Sequence, residues 1–271
     1  MTLTNVLCVI GKPVSHSLSP YLHSFGAHLI GKKVLSFKCE LATELLPSFV
    51  DFVRRKKEFT GFNVTMPFKE EITRLLDSLS YDAQKIGCVN TVAKNRHGLV
   101  GYNTDWLAFR DSVRAREKWF ESTLIFGAGG AAAAAIYAIQ EAKISDEVYL
   151  FNRSVERFER LSKSFNFIKR WSAEKKIELL VNATPVEPPI DQSVFKNVKL
   201  VVDFDYSRKS NQLAERCSEL GIHYIDGLEL LARQGVEALG FFFGEKPKLD
   251  EVLQYLRRIC ECREKASHTA Q

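Results

Sequence analysis

Lys69 is the residue whose placement first asks for a chemical reason. It ends the stretch "GFNVTMPFK", residues 61–69, in which Asn63, Thr65 and Lys69 are polar and Pro67 stiffens the chain between the last two. Val64 is β-branched, so "FNVT" reads as a short strand, and Pro67 biases Met66 away from helical geometry. "FKEEITRLLDSL" then resumes a helical period, which predicts a helix from Phe68 with Lys69 in its first turn. A cation at that terminus gains nothing from the helix dipole, which favours anions there. A solvated lysine is the plain alternative.

Further polar clusters stand where strand patterns end: "SHSLSP" with Ser17 and Ser19, "VNT" with Asn90, and "NTD" with Asp105. Their serines, threonines and asparagines can hold hydroxyl groups by hydrogen bonds. Each could also be a local cap or turn. Ser19 before Pro20 fits a helix N-cap with proline at the first helical position. Four such clusters in about the first hundred residues form a pattern that isolated capping does not supply.

A second kind of chemistry is written in "LIFGAGGAAAAA". A β-rich run stops at Gly127-Ala128-Gly129-Gly130, and an alanine-rich helix starts at once. Gly127, Gly129 and Ala132 fit G-x-G-x-x-G/A: a tight turn, a close approach for a diphosphate, and a small residue packing helix on strand. Orphan N–H groups of the helix start, from Gly130 and Ala131 on, then face the anion. Plain Gly/Ala packing is the competing reading, and the strand–turn–helix context favours the nucleotide. The next strand ends in "LFNRSVER", where an NAD enzyme typically carries an acid. Here Asn152, Arg153, Ser154 and Arg157 stand instead, and an arginine can clamp a 2′-phosphate bidentately, which points to NADP.

The elements that must position these groups alternate. "NVLCVIG", "VLSFKCEL", "FNVT" and two strands in "GCVNTVAKNRHGLVGYNT" are separated by helical patterns in "SPYLHSFGAHLIG", "LLPSFVDFVRRKK" and the Phe68 segment; "DWLAFRDSVRAREK" follows as a helix. A second series runs through "STLIFG", "EVYLFNRS", "IELLVNATP", "VKLVVDFDY" and "IHYIDG" with intervening helices, and the chain closes in helices from "LELLARQG" to "LDEVLQYLRRICECREK". The alternation predicts α/β architecture with mostly parallel sheets, the second series in Rossmann style. The "KASHTAQ" tail is expected to fray.

A chain of 271 residues suits one large or two modest domains. Its net charge of +5 is mild, and most basic residues are interleaved with acids, as in "VERFERL". That argues against a nucleic-acid surface and suits a small anionic substrate. The six cysteines are scattered without CxxC spacing, so no metal is expected and reduced thiols are the simpler reading. No run approaches the roughly 18–20 apolar residues of a membrane span, and the N-terminus carries no leader pattern, so a cytoplasmic protein is expected.

In order along the chain, "VIGKPVSHSLSP", "GFNVTMPFK", "IGCVNTV", "GYNTD", "GAGGAA", "NRS", "NAT", "DFDY" and "LARQG" resemble the shikimate dehydrogenase family, which includes the quinate/shikimate dehydrogenases. The resemblance runs over nearly the whole chain. It implies NADPH-dependent reduction of 3-dehydroshikimate to shikimate by a two-domain protein with its site in a cleft. The substrate domain would comprise 1–105, with 230–271 packing back on it, and the NADP domain 106–229. The resemblance further implies that Ser17 and Ser19 hold the substrate carboxylate with Tyr206 nearby, and that Thr65, Asn90 and Gln234 bind the ring and its hydroxyls. Lys69 and Asp105 would be the catalytic pair. Gly127, Ala128, Gly129, Gly130, Ala131, Asn152, Arg153, Ser154, Arg157 and Thr184 would line the cofactor. The partner is then a small molecule, with neither nucleic acid nor membrane, for a monomer or homodimer.

The chemistry agrees with these roles. Hydride reduction of a ketone leaves an alkoxide that needs a proton as charge develops, and an ammonium oriented by a carboxylate supplies one. Hydroxyl partners lining the site would reject analogues that lack those hydroxyls. Four departures from the family pattern stand out: Trp106 and Ala108 after "NTD", alanine in place of a basic residue after the glycine turn, "NATPVEPP" in place of a longer NATSxGM-type loop, and no tryptophan near the end of "GLELLARQGVEALGFFFG".

Overall fold

The computed structural model describes residues 5–207 and 211–269, and of 264–269 the backbone alone. It forms two compact units, Met1–Thr104 with Leu231–Gln271, and Asp105–Leu230.

The first unit contains β1 (Asn5–Gly11), α1 (Ser19–Leu29), β2 (Val34–Glu40), α2 (Leu46–Arg55), β3 (Phe59–Val64), β4 (Ser78–Leu79), α3 (Tyr81–Ile86), β5 (Thr91–Asn95) and β6 (Gly98–Tyr102). Its sheet has the order β2-β1-β3-β5-β6-β4. The pairs β1–β2, β1–β3 and β4–β6 are parallel, while β3–β5 and β5–β6 are antiparallel. β1 is a near-continuous apolar run because it is covered on both faces: Leu7, Cys8, Val9 and Ile10 are all buried. One face carries Cys8, Ile10, Phe62, Val64, Phe68, Ile72, Val89 and Val92 in a single cluster. The chain returns in α8 (Gly227–Phe243), which reaches this unit from Leu231 onward, and in α9 (Leu249–Thr269). Phe25 of α1 stacks on Tyr255 of α9 with centroids 4.1 Å apart. A Cβ at Gly235 would lie 2.3 Å from Leu22 Cδ1, so α8 needs a glycine there to approach α1.

Two local expectations need correcting. The helix expected from Phe68 is absent: residues 66–70 form turns, and only a five-residue 3₁₀ segment, Glu71–Leu75, follows. Phe68 and Ile72 keep their helical spacing because both are fully buried. The sheet edge then claims the chain. Asp77 N–H donates to Leu99 O at 3.0 Å, the Asp77 carboxylate accepts from Leu99 N–H at 2.7 Å, and β4 pairs with β6. Tertiary pairing overrides the helical period. Nor does Ser19 cap α1. It lies inside the first turn, and the Ser17 hydroxyl accepts its N–H at 3.3 Å. At the other end of the chain, α9 continues to Thr269, well into the tail expected to fray.

The second unit begins with α4 (Asp105–Arg114) and continues with β7 (Phe120–Phe126), α5 (Gly130–Ala142), β8 (Ser145–Phe151), α6 (Val155–Ser164), β9 (Ile168–Arg170), β10 (Leu179–Asn182), β11 (Leu200–Asp203), α7 (Gln212–Leu220) and β12 (His223–Ile225). All its strand pairs are parallel, in the order β12-β11-β10-β7-β8-β9. This is the doubly wound Rossmann arrangement, with its switch point between β7 and β10. Consecutive alanines, Ala132 to Ala135, are buried and let α5 lie close to the sheet. Trp106 packs edge-on against Tyr137 at 5.2 Å beside buried Ala108, so the unusual residues after "NTD" join α4 to α5. At the far end of this unit, Arg116 grips the buried Glu229 carboxylate through two bonds of 2.6 Å.

Candidate active site

In the first unit, topology gathers the polar clusters. β5 runs antiparallel to β3, and β6 antiparallel to β5, so the ends of β3 and β6 meet the start of β5. Thr65, Asn90 and Thr104 follow or precede those ends. Thr65 N–H donates to Ile10 O at 2.9 Å, which ties the turn after β3 to the end of β1. Lys69 O accepts from Val89 N–H at 2.8 Å, so the backbone of Lys69 is anchored one residue from Asn90. Buried Phe68 fixes the turn from below and leaves Lys69 half-buried. The lysine is therefore positioned by a turn pinned at both sides and not by a helix.

Asn90 is the hub. Its Oδ1 accepts from Thr104 N–H at 2.7 Å and from Thr91 Oγ1 at 3.0 Å, and its Nδ2 donates to Thr104 Oγ1 at 3.0 Å and Gln234 Oε1 at 3.4 Å. Thr104 Oγ1 also donates to Gln234 Oε1 at 3.2 Å, and Gln234 Nε2 is held by Leu231 O at 3.0 Å. Residues 90 and 234, far apart in sequence, thus share one polar cluster. Ser17 and Ser19 form another, with their hydroxyls 3.2 Å apart and both side chains buried.

Behind Asn90 lie groups to which the sequence assigns no role. Asn63 contacts Asn90 O at 3.0 Å and Thr91 Oγ1 at 2.9 Å, and His23 Nε2 lies 2.7 Å from Asn63 Oδ1. His23 Nδ1 lies 2.9 Å from Ser36 Oγ. Burial pulls the His23 pKa down to about 4, against the opposing effect of the Asn63 bond, so the ring is neutral at neutral pH. The available signal was an asparagine set between Phe62 and Val64 in an apolar strand. The expected tryptophan near the end of α8 is replaced by phenylalanines: Phe241 stacks on Tyr102 at 3.9 Å, and Phe242 meets His23 edge-on at 6.2 Å.

The remaining candidates belong to the second unit. Asp105 is the first residue of α4, and Tyr206 is half-buried in the loop after β11. The cofactor candidates stand beyond the carboxyl ends of three adjacent strands, β8, β7 and β10. Gly127 has φ +103°, and a Cβ there would meet Ala183 O and Thr184 Cγ2 at 2.9 Å. Only glycine fits the turn. A Cβ at Gly129 would meet nothing within 4 Å, and the first turn of α5 carries no acid. Open space over the amides that begin α5, beside Ala128, Gly130 and Ala131, fits a diphosphate.

At the end of β8, Asn152 Nδ2 donates to Ser154 O at 2.9 Å, and the Ser154 hydroxyl caps α6 by accepting Arg157 N–H at 3.2 Å. Arg153 and Arg157 are exposed, as a clamp for a 2′-phosphate requires. The strand end is less free of acid than the sequence suggests, because Glu156 accepts from Ser154 Oγ at 2.6 Å. The short "NATPVEPP" loop has its own brace. Asn182 Nδ2 donates to Val186 O at 3.2 Å, Thr184 N–H donates to Asn182 Oδ1 at 3.2 Å, and the one hydroxyl hydrogen of Thr184 has Asn182 Oδ1 at 2.7 Å and Val186 O at 2.9 Å within reach.

Comparison with known proteins places this arrangement. Residues 9–92 match the family described as the shikimate dehydrogenase substrate binding domain. The chain is 35% identical over 260 residues to the shikimate dehydrogenase (NADP(+)) of Sulfolobus acidocaldarius, covering 93% of this chain and 95% of that one. It is 37% identical over 253 residues to that of Aquifex aeolicus, covering 89% and 92%. The solved shikimate 5-dehydrogenase of Thermus thermophilus, in complex with NADP(H) and shikimate, is similar with a TM-score of 0.85 at 32% identity, over 94% of this chain and 99% of that one. The resemblance in the ordered motifs, the Rossmann unit and these full-length matches agree: the chain belongs to the shikimate dehydrogenase family.

Proposed function

We propose that this protein catalyses the reversible, NADP-dependent reduction of 3-dehydroshikimate to shikimate in aromatic amino acid biosynthesis. The observation that carries the reading is the match to curated NADP(+)-dependent shikimate dehydrogenases across both units, at 35% identity over 260 residues. The unit of Met1–Thr104 with Leu231–Gln271 holds the substrate and the unit Asp105–Leu230 holds NADP. Ser17 and Ser19 take the carboxylate, Thr65, Asn90 and Gln234 take the ring hydroxyls, and Tyr206 is a further substrate-binding residue. The enzyme works on small molecules in the cytoplasm, as a monomer or homodimer, with neither nucleic acid nor membrane as partner. Among the described residues no helix is long and apolar enough to cross a membrane.

Bound NADPH supplies the hydride that adds to the ketone carbon. The Lys69 ammonium gives its proton to the carbonyl oxygen as negative charge grows there, and Asp105 is the other member of the catalytic pair. In the reverse direction the neutral amine takes the hydroxyl proton. Gly127, Ala128, Gly129, Gly130 and Ala131 receive the diphosphate, Asn152, Arg153, Ser154 and Arg157 the adenosine end with its 2′-phosphate, and Thr184 lines the nicotinamide side.

The test follows NADPH absorbance with 3-dehydroshikimate, in parallel with NADH and with quinate and NADP⁺. Turnover with NADPH should fall by about 10²–10⁴ in Lys69→Ala while NADPH binding is retained. Turnover with quinate alone, or NADPH binding without turnover in the wild type, would overturn the proposal.

A further inference from the structure

The directions of the hydrogen bonds behind Asn90 follow from atoms whose roles are fixed. Asn90 O can only accept, so the Asn63 atom 3.0 Å from it is the amide nitrogen. Asn63 Oδ1 therefore faces His23 and needs a donor, which puts the proton of the neutral imidazole on Nε2. His23 Nδ1 is then an acceptor, and Ser36 must donate to it. In the other direction, Asn63 Nδ2 donates to Thr91 Oγ1, which leaves the single Thr91 hydroxyl hydrogen for Asn90 Oδ1. Thr104 N–H can only donate, which fixes Oδ1 as the acceptor and turns Asn90 Nδ2 toward Thr104 Oγ1 and Gln234 Oε1. Each carboxamide in the series, and the imidazole, has one orientation compatible with its neighbours. His23, Asn63, Asn90, Thr91 and Thr104 are all at most 5% exposed, so water cannot substitute for a missing partner cheaply.

We infer that His23 is a positioning residue for substrate binding: by donating from Nε2 to Asn63 Oδ1 it braces, with Ser36 behind it, the Asn63 carboxamide that supports the Asn90 backbone carbonyl and the Thr91 hydroxyl, and so holds Asn90 in place beside Thr104 and Gln234. The inference rests on the proposed role of Asn90 and Gln234 as partners of the substrate hydroxyls. The long 3.4 Å contact between Asn90 Nδ2 and Gln234 Oε1 is the one a substrate hydroxyl would replace, so an orientation error at Asn63 is felt there. His23 itself touches no substrate in this scheme.

The two ring nitrogens can be tested separately. Glutamine places an amide N–H near the position of Nε2, whereas asparagine reaches only the position of Nδ1. Steady-state oxidation of shikimate by NADP⁺ should show KM for shikimate raised about tenfold in His23→Asn, with KM for NADP⁺ unchanged, and restored to within about threefold in His23→Gln. Ser36→Ala, on a half-buried strand position, should raise KM for shikimate about threefold by leaving the buried Nδ1 acceptor without its donor. Equal KM values for shikimate in His23→Asn and His23→Gln, whether raised or not, would overturn the inference. If His23→Asn does not fold, Ser36→Ala decides: a wild-type KM overturns it. Wild-type protein inactive toward shikimate would remove the functional reading alone. The orienting series is then read from side-chain amide signals of Asn63 and Asn90 in ¹⁵N–¹H spectra, which should stay protected from exchange in His23→Gln and lose protection in His23→Asn and Ser36→Ala. Protection unchanged in all three would overturn it.

Discussion

Acid should loosen the unit of Met1–Thr104 with Leu231–Gln271 before it touches the Rossmann unit, because His23 is buried in its neutral form. The folded-state pKa of about 4 lies below the ordinary value of 6.5, with burial as the main cause. A depressed histidine pKa means that the unfolded chain takes up the proton first. The stability this provides is whole above about pH 6.5 and drains away as pH falls toward 4. With about 1.4 kcal/mol per pKa unit, the whole effect is about 3 kcal/mol, most of which appears between about pH 7.5 and 4.5. His23→Gln removes the titration while keeping a donor toward Asn63. The three tryptophans, Trp106, Trp119 and Trp171, all lie in Asp105–Leu230, so fluorescence follows that unit alone. Amide exchange in β1 and β3 follows the other. Between pH 7.5 and 4.5, the exchange-derived stability of β1 and β3 should fall by about 2–3 kcal/mol more in the wild type than in His23→Gln. The fluorescence transitions of the two proteins should shift together. Parallel pH slopes for β1 and β3 in both proteins would refute the argument that His23 is neutral because it is desolvated.

Three other perturbations follow from the geometry. Gly127→Ala places a methyl group 2.9 Å from Ala183 O at φ +103°, and should lower the fluorescence-monitored stability by about 1–3 kcal/mol while weakening NADPH binding. Arg153→Ala should raise KM for NADPH roughly 10- to 100-fold and leave KM for NADH nearly unchanged, because only the former carries the 2′-phosphate. Arg116→Ala removes the bidentate partner of the Glu229 carboxylate, which is 7% exposed, and should cost about 2–3 kcal/mol in urea unfolding followed by fluorescence. Glu229→Gln together with Arg116→Met should recover part of that loss, since a neutral pair carries no uncompensated charge.

Much of the fold was legible because its elements keep clean periods. β7, β8, β10 and β11 are short apolar runs bounded by polar turns, and buried parallel strands have that signature. Gly127 was legible as a turn because its neighbours supply a strand before and a helix after. The helix expected from Phe68 failed for a non-local reason: Leu99 and Val100, some twenty residues on, capture the backbone of Asp77 and Ser78. α3 and the three-residue β9 offered too short a period to read. The site was half visible. Asn90 stood out as a polar residue at a strand end, but Gln234 could be named only through resemblance, since nothing in one sequence brings residues 90 and 234 together. His23 was invisible, because a lone histidine in an amphipathic helix looks the same whether it faces solvent, core or an asparagine from β3.

The substrate unit is built from two separated pieces of chain, with Asp105–Leu230 between them. During synthesis the Rossmann segment is complete and contiguous while its predecessor still lacks α9 and most of α8. Leu22 and Gly26 of α1 wait for Gly235 and Leu239, which approach them closely in the folded protein. Asn90 and Thr104 likewise wait for Gln234. The nascent protein is therefore able to assemble its Rossmann fold before the polar cluster of Asn90, Thr104 and Gln234 is complete, since the segment from Leu231 onward emerges after Asp105–Leu230.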